Sequence, residues 1–355
     1  MNTLRKFVSS PPSIPAASAW YLADLGEARG KQELYTRQSP QKLKTLREHA
    51  LVESAVSSNR IEGVTVDRSR VATVVFGKSL LQDRNEEEVR GYRNALKLIH
   101  ESPPGVSEKT IKQLHALARG DIGDAGRYKK KDSDIIEKLP SGRVRVRFRT
   151  VTAKETPGAM KELISLWHQG IEERQVHPLL LLTAWNFDFL CIHPFRDGNG
   201  RVYRLMLLLQ LYHLGYEVGR YISVERLIEQ HKERYYETLE QSSVGWHEGR
   251  HDPWPYINFI LSTLREAYTE FEERVGRTSE KRGSKTETVL EAIARINGEF
   301  TIADLQVKCP GVGVDMIRKI LKAERQAGNL VCLGRGRDAK WRRLGPKRGN
   351  THLIR

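Results

Sequence analysis

Two apolar stretches, Leu179 to Leu190 and Leu205 to Leu214, constrain this chain more than any other feature of its sequence. Asn186 and Asp188 interrupt the first, Gln210 and His213 the second, and both fall short of the roughly 18 uninterrupted apolar residues of a membrane span. They read as helices buried in a soluble protein. The periodicity around them agrees. Leu43, Leu46, Ala50, Leu51 and Val52 recur near helical spacing, as do Val89, Tyr92, Ala95, Leu96 and Ile99. After the loop Ser102-Pro103-Pro104-Gly105, Ser107-Glu108 opens a helix whose apolar side is Ile111, Leu114, Leu117 and Ala118. Helical patterning resumes at Ala159 and runs, with breaks, to about Val275, and Trp254-Pro255-Tyr256 starts the last core helix.

Few strand signals appear. One stands out: beyond the turn Pro140-Ser141-Gly142, Arg143 to Arg149 alternates arginine with apolar residues, one strand of a hairpin with a basic face. The expected fold is mainly α with a small β-hairpin. At 355 residues the chain is long enough for two or three domains with a sizeable core. The polar run Gly276 to Lys285 reads as a linker. The organisation expected is a helical N-terminal region over 1–105, a core over 106–276, a linker over 277–285, a small domain over 286–345 and a basic tail over 346–355.

Lys and Arg number 59 against 44 Asp and Glu, a formal net charge of +15, while 39% hydrophobic residues exclude a disordered chain. From Gly276 onward there are 18 basic and 8 acidic residues, so ten of those fifteen excess charges lie in the last fifth. Cys191, Cys309 and Cys332 are too far apart for a disulfide framework or a paired metal site, and no apolar leader follows Arg5 and Lys6, so a reducing cytoplasm is expected. The scattered histidines show no zinc-enzyme spacing. Ala72 to Ser79 is a loosened phosphate-loop pattern without its first glycine and with a β-branched and aromatic interior, and is set aside.

Residues 193–204, His-Pro-Phe-Arg-Asp-Gly-Asn-Gly-Arg-Val-Tyr-Arg, lie between the two apolar helices. His193 ends a buried helix, where its orientation can be fixed and its near-neutral pKa suits a general base. Gly198-Asn199-Gly200 precedes the next helix, so backbone N–H groups and the positive helix end can converge on an anion such as phosphate. Asp197 beside it could hold Mg²⁺, and Arg201 and Arg204 share a helix face and offer two forks to a polyphosphate.

This dozen resembles the signature H-x-F-x-[D/E]-G-N-G-R-x-x-R of the Fic family in every fixed position. The resemblance implies a helical Fic core that transfers AMP from ATP, with Mg²⁺, to a Ser, Thr or Tyr hydroxyl of a target protein. Under it His193 activates the hydroxyl and Asp197 binds Mg²⁺. Gly198, Asn199 and Gly200 form the anion hole, Arg201 and Arg204 hold the β and γ phosphates, and Phe195 packs into the core. Tyr203 stands where relatives often carry a small residue. The strand Arg145-Val146-Arg147-Phe148 resembles the family's flap, which docks a target segment by strand addition, and its arginines would favour an acidic target. Tyr235-Tyr236 resembles the family's nucleotide-side aromatic pair, a core pair being the other reading.

Ser58-Asn59-Arg60-Ile61-Glu62-Gly63 closes a helical run, with Gly63 a C-terminal stop. It also resembles the inhibitory motif [S/T]-x-x-x-E-[G/N] of family members that carry their own inhibitory helix. The resemblance implies that Glu62 pairs with Arg204 and takes the place of the γ-phosphate. In some relatives the same glutamate supports AMP removal, and the two roles stay open. Self-modification and a homodimer are compatible with this reading, and a membrane partner is not expected.

Residues 285–345 resemble a winged helix: three short helices, the last carrying Arg318, Lys319, Lys322 and Arg325, then strands near Leu330 to Leu333 and Lys340 to Leu344 around Gly334-Arg335-Gly336-Arg337. The charge suits DNA, while a protein-interaction or dimerisation module remains the other reading, since no residue there reads bases. The alternative for the whole chain is a DNA-binding regulator with the Fic core as nucleotide sensor.

Overall fold

In a computed structural model the chain is mainly helical, and the structure describes residues 2–36, 40–77, 80–120, 123–138, 142–276, 284–296, 298–334, 336 and 339–344. It divides into two compact units, one of residues 1–66 and 79–276, the other of 67–78 and 277–355.

The first unit carries α1 (Asn2–Ser9), α2 (Ala16–Thr36) and α3 (Pro40–Ile61). The chain then gives α4 (Arg68–Phe76) to the second unit and returns for α5 (Arg84–Glu101) and α6 (Glu108–Arg119). There follow β1 (Ile135–Lys138), β2 (Val144–Phe148), α7 (Thr156–Glu173), α8 (Pro178–Ile192), α9 (Asn199–His213), α10 (Val224–Gln230), α11 (Lys232–Ser243) and α12 (Trp254–Gly276). The two apolar stretches are α8 and α9, buried on every side. α8 packs among α1, α7, α9 and α12, and α9 against α5, α6 and α8. A helix apolar all round has no face to give to water and must lie at the centre of the fold.

The polar interruptions that kept these helices from reading as membrane spans are satisfied inside. Asn186 of α8 donates to Gln210 of α9 at 2.6 Å. Asp188, fully buried, accepts the backbone N–H of Leu4 at 2.9 Å at the start of α1 and the indole N–H of Trp246 at 2.7 Å. A buried carboxylate at a helix N-terminus meets the unpaired amides and the positive helix end.

β1 and β2 form the antiparallel hairpin, Ile136 opposite Val146, with a register irregularity at Ile135 and Ile136. The Pro140-Ser141 turn lies outside the described residues. The second unit comprises α4, α13 (Ser284–Ala294), β3 (Glu299–Phe300), α14 (Ile302–Lys308), α15 (Val314–Gln326), β4 (Leu330–Cys332) and β5 (Trp341–Arg343). A capping box between Thr301 and Asp304 starts α14, and Val289, Phe300, Leu305, Ile317, Leu321 and Trp341 fill the core.

Two sequence expectations change here. The strands form a three-stranded antiparallel sheet in the order β3-β5-β4, because the two-residue β3, too short for a period-2 pattern, adds itself to β5. Residues 67–78, expected within the N-terminal region, belong to the second unit, and Ala72 to Phe76 of the loosened phosphate-loop pattern fall on helix α4, which packs on α14 with Val71, Val74 and Val75 buried. Lys78 and Ser79, most of the linker over 277–285, Arg335 and Arg337, and the whole basic tail over 346–355 lie outside the described residues. Among the described residues no helix is long and apolar enough to cross a membrane.

Candidate active site

His193 is the residue after α8, held in the left-handed region at φ 52° with its N–H on Phe189 O at 2.9 Å. That cap turns the chain out of the buried helix. Burial first, and the Lys129 ammonium second, push the imidazole down to about 4, so it is neutral and able to accept a proton at physiological pH. Lys129 is itself drawn down to about 8 by burial, its Nζ donating to Thr150 Oγ1 at 2.7 Å and to Ile192 O at 3.2 Å.

The turn from α8 to α9 is closed by Asn199, whose side chain accepts from Phe195 N at 2.9 Å and donates to Phe195 O at 2.8 Å. Phe195 is fully buried and stacks on His115 with ring centroids 3.8 Å apart. Gly198 must be glycine for two reasons: its φ is +82°, and a Cβ would come 3.0 Å from Arg119 Cδ. Gly200 follows in the first turn of α9, where amide N–H groups have no partner within the helix.

α9 carries Arg201 and Arg204 inward, each 1% exposed. Arg204 is enclosed by the end of α3: its Nε donates to Ser58 Oγ at 2.8 Å, and its Nη2 donates to Ser58 O at 2.9 Å and Glu62 Oε1 at 2.7 Å. Burial opposes the charge, yet Glu62 beside it keeps the guanidinium above its ordinary pKa. Gly63 at φ +82° and the bonds of Glu62 N and Val64 N to Asn59 O end the helix, and Lys232 caps it by donating to Ile61 O at 2.9 Å. The Glu62 carboxylate lies directly against the glycine loop, since a Cβ on Gly200 would stand 2.2 Å from Glu62 Oε1.

Glu62, His193, Gly200, Arg204, Tyr235 and Tyr236 line one cavity of about 450 Å³, with Arg147 and Phe148 of the hairpin. That volume suits a small-molecule ligand. Tyr235 is 2% exposed and packs on Tyr203 and Phe259, so its ring is chiefly core, whereas Tyr236 is half-buried. Asp197, Gly198, Asn199, Arg201, Ser58, Gly63, Arg145 and Val146 do not line the cavity.

The hairpin departs from the expected open face of arginines. Arg145 and Arg147 both pair with Glu240 of α11, and the exposed side chains of the hairpin include Ile136, Val144 and Val146. Glu240 lies a hundred residues away in sequence, so the strand alternation could not show its partner.

Sequence reasoning also missed the charges behind the arginines. Glu88 of α5, 2% exposed, meets Arg201 Nη1 at 2.6 Å and Arg119 Nη1 at 3.1 Å, and Arg119 reaches Asp197 Oδ2 at 2.7 Å. A signal was present. Glu88 lies four residues before Tyr92 and seven before Ala95, within the apolar stripe of α5, and Arg119 continues the Ile111, His115 line of α6.

Asp197 offers one partly exposed carboxylate beside the glycine loop, a donor set that fits a Mg²⁺ completing its shell with phosphate oxygens and water. Among the described residues no three His, Cys, Asp or Glu side chains cluster as an all-protein metal site.

The sequence model of the Fic/DOC family matches residues 105–211. This segment is similar in sequence to a Fic domain. The chain is 27% identical over 215 residues to the protein adenylyltransferase Fic of Nematostella vectensis, covering 57% of this chain and 44% of that protein. It is 22% identical over 230 residues to the one from Culex quinquefasciatus, covering 61% and 41%. It thus matches less than half the length of these curated relatives. In fold it is similar to a Fic family protein from Desulfovibrio desulfuricans, with a TM-score of 0.61 at 24% identity over 95% of this chain and 98% of that one. A Fic domain containing signaling protein from Bacteroides thetaiotaomicron gives 0.60 at 21% identity over 73% and 100%. The matched span includes all of α6 through the hairpin to most of α9, while Glu62 and Glu88 come from helices outside it.

Proposed function

We propose that this chain is a protein adenylyltransferase restrained by its own Glu62. The observation that carries the reading is the cavity on which a neutral, half-buried histidine, Gly200 at a helix start and the Arg204 guanidinium meet, with a carboxylate seated where an anion would lie. The resemblance assigns the phosphates of ATP to the loop of Gly198 to Gly200 and to Arg201 and Arg204, of which Gly200 and Arg204 line the cavity. His193 takes the proton of a Ser, Thr or Tyr hydroxyl on the target protein, and the hydroxyl oxygen attacks the α-phosphorus. The bond from that phosphorus to the bridging oxygen breaks, and pyrophosphate leaves. Mg²⁺ held by Asp197 would neutralise phosphate charge when bound.

Glu62 occupies Arg204 Nη2 and the space over Gly200, so a γ-phosphate must displace it. The test is labelling of protein by ATP carrying label on its α-phosphate. Glu62→Gly is expected to raise labelling of the chain itself or of lysate targets. Adding His193→Ala should lower it by about 10²–10⁴-fold, the usual worth of a positioned base. Equal labelling by the wild type and Glu62→Gly would overturn the restraint, and labelling that survives His193→Ala would overturn the base. Faster loss of AMP from a modified target with wild type than with Glu62→Gly would instead assign Glu62 to AMP removal.

A second reading rests on α15, whose Arg318, Lys319, Lys322 and Arg325 are all exposed. On it the second unit is a winged-helix module that contacts DNA phosphates through charge alone; a mobility shift of duplex DNA that weakens steeply with salt supports it, and no shift at low salt removes it. Homodimer formation through this unit is the competing use of the same module.

A further inference from the structure

The reading above uses Arg201 and Asp197 but leaves unexplained what holds them. Four side chains from separate segments close a ring: Glu88 of α5, Arg119 of α6, Asp197 of the turn and Arg201 of α9. Glu88 Oε2 is 2.6 Å from Arg201 Nη1, and its Oε1 is 3.1 Å from Arg119 Nη1. Arg119 Nη1 is 2.7 Å from Asp197 Oδ2, and Arg201 Nη2 is 3.8 Å from Asp197 Oδ1. Outside the ring, Arg84 Nε also reaches Glu88 Oε1 at 3.0 Å, and Glu88, Arg119 and Arg201 are each at most 5% exposed. Asn59, just before the Glu62 turn, adds its Oδ1 at 3.3 Å from Arg201 Nη1.

We infer that Glu88 and Arg119 are positioning residues for nucleotide binding: Glu88 fixes Arg201 for the β-phosphate, and Arg119 aims the Asp197 carboxylate. The physical reason lies in what a buried guanidinium does without a partner. Without the Glu88 charge, the buried Arg119 and Arg201 would repel each other, and both would turn to the one remaining carboxylate, Asp197. Arg201 would then be held on Asp197, and Asp197 would have two arginines in place of one. With Nη1 held by Glu88 and Asn59, Arg201 is oriented, and its Nη2, no nearer than 3.8 Å to the Asp197 carboxylate, is the donor a phosphate would engage.

The inference rests on the nucleotide reading, and its test separates the two. Binding of ADP and of AMP is measured by calorimetry on Glu62→Gly, alone and with Glu88→Gln or Arg119→Gln, with and without Mg²⁺. AMP lacks the β-phosphate and so serves as a measure of the intact fold. For Glu88→Gln, ADP affinity is expected to fall about 10- to 100-fold, the weight of a charge-assisted hydrogen bond, while AMP affinity changes less than about twofold. Arg119→Gln keeps the Glu88–Arg201 pair and is expected to lose most of the Mg²⁺ enhancement of ADP binding while retaining ADP binding without Mg²⁺. Equal loss of ADP and AMP affinity in both variants would make the ring part of the folded frame only and overturn the inference. No change in either variant, or a larger Mg²⁺ enhancement in Arg119→Gln, would overturn it as well. Failure of the Glu62→Gly parent to bind ADP at all would instead overturn the nucleotide reading on which it stands.

Discussion

His193 shows how far a single environment can move a side chain toward a task. An ordinary imidazole, with a pKa near 6.5, is half protonated just below neutrality. Burial and Lys129 hold this one near 4, so its base form is full throughout the neutral range and is lost only as the pH falls through about 4. The transfer rate of Glu62→Gly is therefore expected to be flat in this group between about pH 5.5 and 8, and a protonation step near 6.5 in its pH profile would contradict the assignment. The residues of this site divide by how they could be read. Those of 193–204 are contiguous, and each has a chemical reason to stand at its spacing. Glu88 and Arg119 are single charges on helices, and on a helix a lone charge most often faces water. Only the packing of α5 and α6 against α9 brings them under Arg201.

At the scale of elements, α8 and α9 were legible because an apolar run with one or two polar breaks has few places to go. The breaks carry specific information that only the structure reveals, since Asn186 and Gln210 meet each other. The hairpin was legible as alternation, but not the destination of its arginines, which Glu240 takes. The two-residue β3 offered no pattern at all. The α5–α6 crossing that carries Glu88 toward Arg119 depends on Gly91, where a Cβ would lie 2.2 Å from the backbone oxygen of Leu117. Backbone cannot swing aside as a flexible side chain can. Gly91→Ala is therefore expected to destabilise the protein by about 2–3 kcal/mol despite the better helix propensity of alanine, as measured by urea unfolding. A neutral or stabilising change would mean that the two helices are free to separate.

For the molecule as a whole, three imidazoles, His115 buried and His100 and His193 half-buried, set a direction for stability against pH. Burial holds His100 at about 3 and His115 and His193 at about 4. The unfolded chain takes up these protons near pH 6.5, so their contribution to stability is complete above that pH and is lost as the pH falls from about 6.5 toward 4. Each costs up to about 1.4 kcal/mol per pH unit in that window, and the melting temperature is expected to drop between pH 7 and 5. A melting temperature that holds or rises over that range would contradict the neutral burial of these rings.

The route of the chain through α4 bears on how the protein comes apart. The second unit is joined to the first at three points of the backbone, because residues 67–78 leave the first unit and return to it, and Val71, Val74 and Val75 stay buried in the second unit. A single cut between Gly276 and Ser284 severs one of those joins. The fragments should then travel together through size exclusion under native conditions and separate only in denaturant, as two loops of a stitch hold after one thread is cut. An expression boundary placed at the same point leaves three valines of α4 without their cover, and such a fragment is expected to aggregate unless 67–78 is redesigned with it.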